Sequence, residues 1–157
     1  MLELNDNLPH LDSPLVLDYG SEAYGFIYNR TENIVARNMS LSFDSNAHLH
    51  KIVHTPGTYR IRIILAGIYL IRFSILSSVQ SYWSLRINND LQPELYSSGC
   101  YGVYETCHQG IYKLPEDTVL TIVNQTESPV VVLPEIPGDT ENLNNASLLV
   151  LKLDSKI

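Results

Sequence analysis

Apolar and polar positions alternate most regularly between Thr58 and Ser77. In the first half Tyr59, Ile61 and Ile63 fall on one face and Arg60 and Arg62 on the other. That period of two predicts a half-buried strand. Leu65, Ala66 and Gly67 interrupt the run. In the second half Tyr69, Ile71, Phe73 and Ile75 share one face; Ile68, Leu70 and Leu76 share the other with Arg72 and Ser74. The pattern predicts a hairpin-like unit whose second arm has almost no wet face. Ser147–Leu153 repeats the theme, with Leu149, Leu151 and Leu153 one way, Leu148 and Val150 the other, and Lys152 alone polar. An antiparallel strand in a small monomer ordinarily keeps one side solvated. Two strands apolar on both sides therefore predict a covered sheet, closed over by the chain's own loops or by sister subunits.

The remaining chain reads as short strands separated by turn chemistry. Tyr24–Tyr28, Asn33–Ala36, Met39–Phe43, Leu49–Thr55, Ser81–Asn88, Leu91–Ser97, Gly99–Thr106, Gln109–Leu114, Thr118–Asn124, Val130–Leu133 and Ala146–Leu153 are the candidates. Asp44-Ser45-Asn46, Pro56-Gly57, Asn88-Asn89-Asp90 and Pro115-Glu116-Asp117 supply turns. No stretch sustains a helical period. The expectation is an all-β sandwich or barrel.

Composition narrows the function. The 157 residues suit one domain, 45% hydrophobic and 17% charged, with ten tyrosines favouring strands. A net charge of −7 without a basic cluster argues against nucleic acid and anionic lipid as partners. No apolar run approaches the roughly 20 residues of a membrane span. Residues 1–22 form an acidic arm lacking Lys and Arg but rich in leucine, either a flexible tail or a tether that docks on a partner. Residues 23–157 form the domain.

Several segments occur in this order: Gly25-Phe26-Ile27-Tyr28-Asn29, Phe43-Asp44-Ser45-Asn46, His54-Thr55-Pro56-Gly57-Thr58 and Ala66-Gly67-Ile68-Tyr69. Leu85-Arg86-Ile87-Asn88, Asp117 to Asn124 and Asn145-Ala146-Ser147-Leu148-Leu149 follow. From about Tyr24 to Asp154 the chain resembles the C-terminal domain of BclA-type collagen-like exosporium glycoproteins of spores, itself similar to complement and tumour necrosis factor jelly rolls. The resemblance implies a ten-stranded jelly roll, a homotrimer, display on the spore surface, adhesive or receptor contacts, and neither catalysis nor cofactor. It implies that the two double-faced strands lie near a threefold axis, with an interface expected at Ile68, Tyr69, Leu70, Arg72, Leu148 and Val150. Here the acidic arm stands where the family has Gly-x-x repeats, which points to anchoring by the arm to an exosporium basal layer or a spore appendage. Exposed loops carrying Asn89, Asp90, Tyr96, Tyr101 and Tyr104 are the expected partner contacts, as is the polar loop Pro137 to Asn145.

Candidate chemistry is thin. His48 and His50 would share a face of a strand and, with Asp44, are weak candidates for a metal site. Cys100 and Cys107 are read as free thiols or an optional bridge. No nucleophile elbow, phosphate loop or His-Glu-x-x-His motif occurs. Four Asn-x-Ser/Thr sequences, at Asn29, Asn38, Asn124 and Asn145, would mark glycans in a secreted eukaryotic protein and chance polar strand ends in a spore protein. The alternatives to a display protein are a metal-dependent jelly-roll enzyme and a secreted complement- or tumour necrosis factor-like ligand.

Overall fold

The computed structural model describes residues 21–100, 103–132 and 144–154. Its strands are β1 (Tyr24–Asn29), β2 (Asn33–Val35), β3 (Ser45–His50), β4 (Ile52–Val53), β5 (Ile61–Ile63), β6 (Gly67–Ser77) and β7 (Tyr82–Ile87). They continue with β8 (Asp90–Leu91), β9 (Leu95–Tyr96), β10 (Ser98–Cys100), β11 (Val103–Leu114), β12 (Thr118–Asn124), β13 (Val130–Val132) and β14 (Ala146–Lys152). The all-β reading holds, with no helix among the described residues.

Two sheets face each other. The larger runs β10-β11-β6-β14-β1-β3, with β13 joining β6 to β2; the smaller runs β4-β5-β12-β7-β8, with β9 also on β7. Every ladder among the described residues is antiparallel. The core between them is one cluster in which Trp83, Tyr69, Phe43, Phe73 and Ile27 are the largest enclosed side chains.

The expected hairpin across Thr58–Ser77 does not form. β5 pairs with β4 and β12 in the smaller sheet, whereas β6 pairs with β11 and β14 in the larger. Leu65-Ala66-Gly67 is a crossing between layers, which local periodicity does not distinguish from a turn. Gly67 suits that crossing, since a Cβ there would sit 2.5 Å from Lys152 Cε. Ten expected strands become more, shorter ones because backbone kinks divide them. Lys51 at φ 56° separates β3 from β4, and Ser45, expected in a turn, opens β3. Met39–Phe43 makes only single bridges, Ser40 to Val123 and Phe43 to Thr58. Conversely, the two runs expected within 99–114 contribute one uninterrupted twelve-residue strand, β11.

Turn assignments fare better. Ile87 pairs with Asp90 across Asn88-Asn89, with Asn88 at φ 54°; Gly57 takes φ 88°; Asp117 takes φ 59° after Pro115. These are left-handed positions that Gly, Asn and Asp tolerate. Buried polar groups close the ends of the sandwich. Trp83 Nε1 donates to Ser81 Oγ at 2.8 Å, and the Ser81 amide donates to Ser97 Oγ at 2.7 Å. At the other end Lys152, its side chain only 5% exposed, reaches Glu22 and Asp154, both at 3.0 Å.

Candidate functional site

Register decides which side chains leave the core. Along β6, Tyr69, Ile71, Phe73 and Ile75 are fully buried; Ile68 and Arg72 are exposed and Leu70, Ser74 and Leu76 half-buried on the reverse side. Along β14, Leu148 and Val150 are fully buried, while Ser147, Leu149 and Leu151 face out. The expected interface set therefore divides. Ile68, Leu70 and Arg72 lie on the outer wall of the larger sheet. Tyr69, Leu148 and Val150 do not: each has 0% exposure within the chain's own sandwich, so no partner can reach them. Periodicity separated the two faces but could not say which faced inward, because both are apolar.

The outer wall is continuous across four strands. Ile111, Leu70, Leu151 and Tyr24 are directly opposite one another in successive pairings. The next row is Gln109, Arg72, Leu149 and Phe26, and the one after it Cys107, Ser74, Ser147 and Tyr28. The wall is thus apolar at one end, mixed in the middle and polar at the other. Its greasy end is open: Ile111 is 65% exposed, Leu153 47% and Ile68 41%. Leu149 and Leu151 belong to it and were absent from the expected set, although their alternation with Leu148 and Val150 carried the signal. Among the described residues Arg72 makes no ion pair.

The expected contact loops are partly assembled. Asn89 is at the tip of the β7–β8 hairpin and Asp90 just beyond it. Tyr96, 51% exposed, packs against Tyr82 with ring centroids 4.8 Å apart. Tyr104 is half-buried on β11 opposite Ser77. Tyr101, residues 1–20 of the arm and residues 137–143 of the polar loop lie outside the described residues.

The candidate metal ligands do not converge. His48 (φ 51°) and His50 are exposed beside an irregularity in the β1–β3 register, and His50 packs on Tyr24. Asp44 is engaged elsewhere, accepting from the Arg30 and Thr31 amides, Thr31 Oγ1 and Ser45 Oγ. Burial opposes its ionisation, but those hydrogen bonds outweigh it and hold the carboxyl below its usual value. Among the described residues no three His, Cys, Asp or Glu side chains gather. His54 is buried, its Nε2 2.9 Å from the Thr58 carbonyl and its Nδ1 against Asn46 Oδ1. It is a structural strut between β3 and the turn at 55–58. Cys107 is free and exposed. Cys100 pairs with Val103, so Cys107 is four residues further along β11, roughly 13 Å away by strand rise and beyond disulfide reach.

The Asn-x-Ser/Thr sites acquire a physical role. Asn29, Asn124 and Asn145 are at most 2% exposed. Asn124 Nδ2 donates to the Val35 carbonyl at 2.9 Å, and Asn29 Nδ2 donates to Asn145 Oδ1 at 2.9 Å. These amides fasten strand ends and are closed to modification in the folded chain; Asn38 alone of the four is exposed.

The fold is that of complement and tumour necrosis factor jelly rolls. The chain is similar to the globular domain of zebrafish complement 1qA, with a TM-score of 0.66 at 7% identity over 85% of this chain and 99% of that one. It is similar to Eiger TNF from S. frugiperda, at 0.67 and 12% over 88% and 96%. Murine APRIL at pH 5.0 gives 0.59 and 13% over 83% and 98%. No protein-family model and no curated protein matches the chain.

Proposed function

We propose that this chain is a non-enzymatic display protein that assembles as a homotrimer through the outer wall of its larger sheet and meets partners with its exposed loops. One observation carries the reading: the row Ile111–Leu70–Leu151–Tyr24, apolar across four strands and uncovered among the described residues. Such a strip is disfavoured at the surface of a monomer. A closed symmetric assembly removes it from water without leaving a further sticky edge.

Display on a spore surface, with residues 1–22 as the anchor, is the placement favoured by the ordered segments that resemble BclA-type domains. A complement- or tumour necrosis factor-like ligand is the second reading, favoured by the jelly-roll neighbours. Both need the same assembly. Sedimentation equilibrium at micromolar concentration tests it: three times the chain mass is expected, and a monodisperse monomer overturns the reading. Fractionating spores against cytoplasm tests the placement.

A further inference from the structure

On the smaller sheet, facing away from the core, a cleft of about 450 Å³ has Ser40, Tyr59, Arg60, Arg86, Asn89 and Thr121 in its lining. Its origin is a change of neighbour along β12. Near Val123 the flanking strand is the 38–41 segment, which bridges through Ser40 and donates the Leu41 amide to Ile122. From Leu120 back to Thr118 it is β5, entered from Tyr59 and Arg60. Thr121 falls at the gap between those two flanks, and on its other side it pairs with Arg86.

Three groups in this cleft lack partners. Thr121 is 7% exposed, and its Oγ1 has no hydrogen bond. The Arg60 and Arg86 side chains make no ion pair or hydrogen bond among the described residues, in a chain of net charge −7. Arg62, two residues along on the same face, is instead held by Asp117, Nε to Oδ1 at 3.1 Å. A buried hydroxyl without a partner is disfavoured, and two guanidiniums flanking it, with Cα atoms roughly 10 Å apart across β12, present forked donors to one planar or tetrahedral oxyanion.

We propose that this cleft is a binding site for a small hydroxylated oxyanion, an acidic or phosphorylated monosaccharide. Arg60 and Arg86 clamp its carboxylate or phosphate, and Thr121 Oγ1 donates from the floor. The Asn89 amide and the Ser40 hydroxyl take ring hydroxyls, while the exposed Tyr59 ring offers a face to the apolar side of the sugar. The site is on the opposite layer from the outer wall, so it does not depend on the assembly.

Isothermal titration of the full chain with glucuronate, glucose 6-phosphate and glucose tests this. One site per chain for glucuronate or glucose 6-phosphate, weakened by added salt, is expected, with no binding of glucose. Whichever anion binds identifies the group. Arg60→Gln and Arg86→Gln should each weaken binding about tenfold or more, whereas Arg62→Gln, an equal change of net charge, should leave it unaltered. Thr121→Val should weaken binding while leaving thermal stability equal or higher, since it deletes an unpaired buried hydroxyl. Failure of both anions to bind, equal binding of glucose, or equal loss in all three arginine variants overturns the proposal.

Discussion

Lys152 Nζ lies 3.0 Å from Glu22 Oε2, joining the last strand to the residues that precede the first. Burial of Lys152 opposes its charge, but hydrogen bonds to Glu22 and Asp154 outweigh that and raise its pKa. A raised folded-state value means that the stabilisation is complete below the unfolded value and fades as pH rises through the folded one. Removing one member leaves the other charge poorly paired in a dry setting. Lys152→Met should therefore lose less stability than the double change Glu22→Leu/Asp154→Leu, which takes both carboxylates from the buried ammonium. Urea midpoints at neutral pH compare the two, and the gap between wild type and Lys152→Met should narrow above about pH 10.5.

Asp44 gives the opposite pH dependence. Its folded-state pKa is depressed, so its contribution is present above about 3.8 and is lost as pH falls through the folded value. Asp44→Asn keeps the shape but weakens the acceptor for the Arg30 and Thr31 amides. It should cost about 1 kcal/mol at neutral pH and little at pH 2. Paired thermal melts at the two pH values check this.

The two faces of β6 and β14 should respond oppositely to charge. Leu70→Asp or Leu151→Asp places a carboxylate on the outer wall, so the chain should stay folded and elute as a monomer. Val150→Asp places it in the core, so the chain should fail to fold. Leu148→Ala should cost about 2–5 kcal/mol with the oligomer unchanged at saturating concentration. Circular dichroism and gel filtration on the same samples separate the outcomes; a Leu70→Asp chain that unfolds would place that residue in the core.

His108 and Tyr112 form a polar pair on the inner side of β11, Nε2 and Oη 2.6 Å apart. Burial lowers the pKa of His108 and raises that of Tyr112, so at neutral pH the pair joins a neutral imidazole and an un-ionised phenol. The unfolded state then takes up the proton first, and stability should fall as pH drops through about 6.5 toward the lower folded value. His108→Gln should flatten that slope. Gly110→Ala should remove the pair outright, because a Cβ there would come within 2.7 Å of the Tyr112 ring. Nuclear magnetic resonance titration of the His108 imidazole follows wild type and Gly110→Ala, and denaturation midpoints between about pH 5 and 8 follow His108→Gln.

Much of this architecture was legible in the residues. Period-two alternation and Asn-, Asp- and Gly-bearing turns located nearly every strand, because both signals are local. What failed was non-local. Leu65-Ala66-Gly67 reads equally as a turn or as a passage between layers, and only the partners of β5 and β6 decide. Tyr69 and Leu70 are both bulky and apolar, so sequence could not rank them by depth. The Arg60–Thr121–Arg86 constellation joins three segments distant in sequence, and its arginines alternate like those of any solvated strand face. Its one anomaly, an unsatisfied threonine hydroxyl, exists only after folding.

The placement of that arginine-lined hollow on the smaller sheet has a further consequence. Three copies closed about their larger sheets would each turn a hollow outward, at fixed spacing on one rigid body. Against a surface bearing repeated acidic groups, weak single grips would act in concert, and effective concentration rather than intimate fit would set how firmly the particle holds.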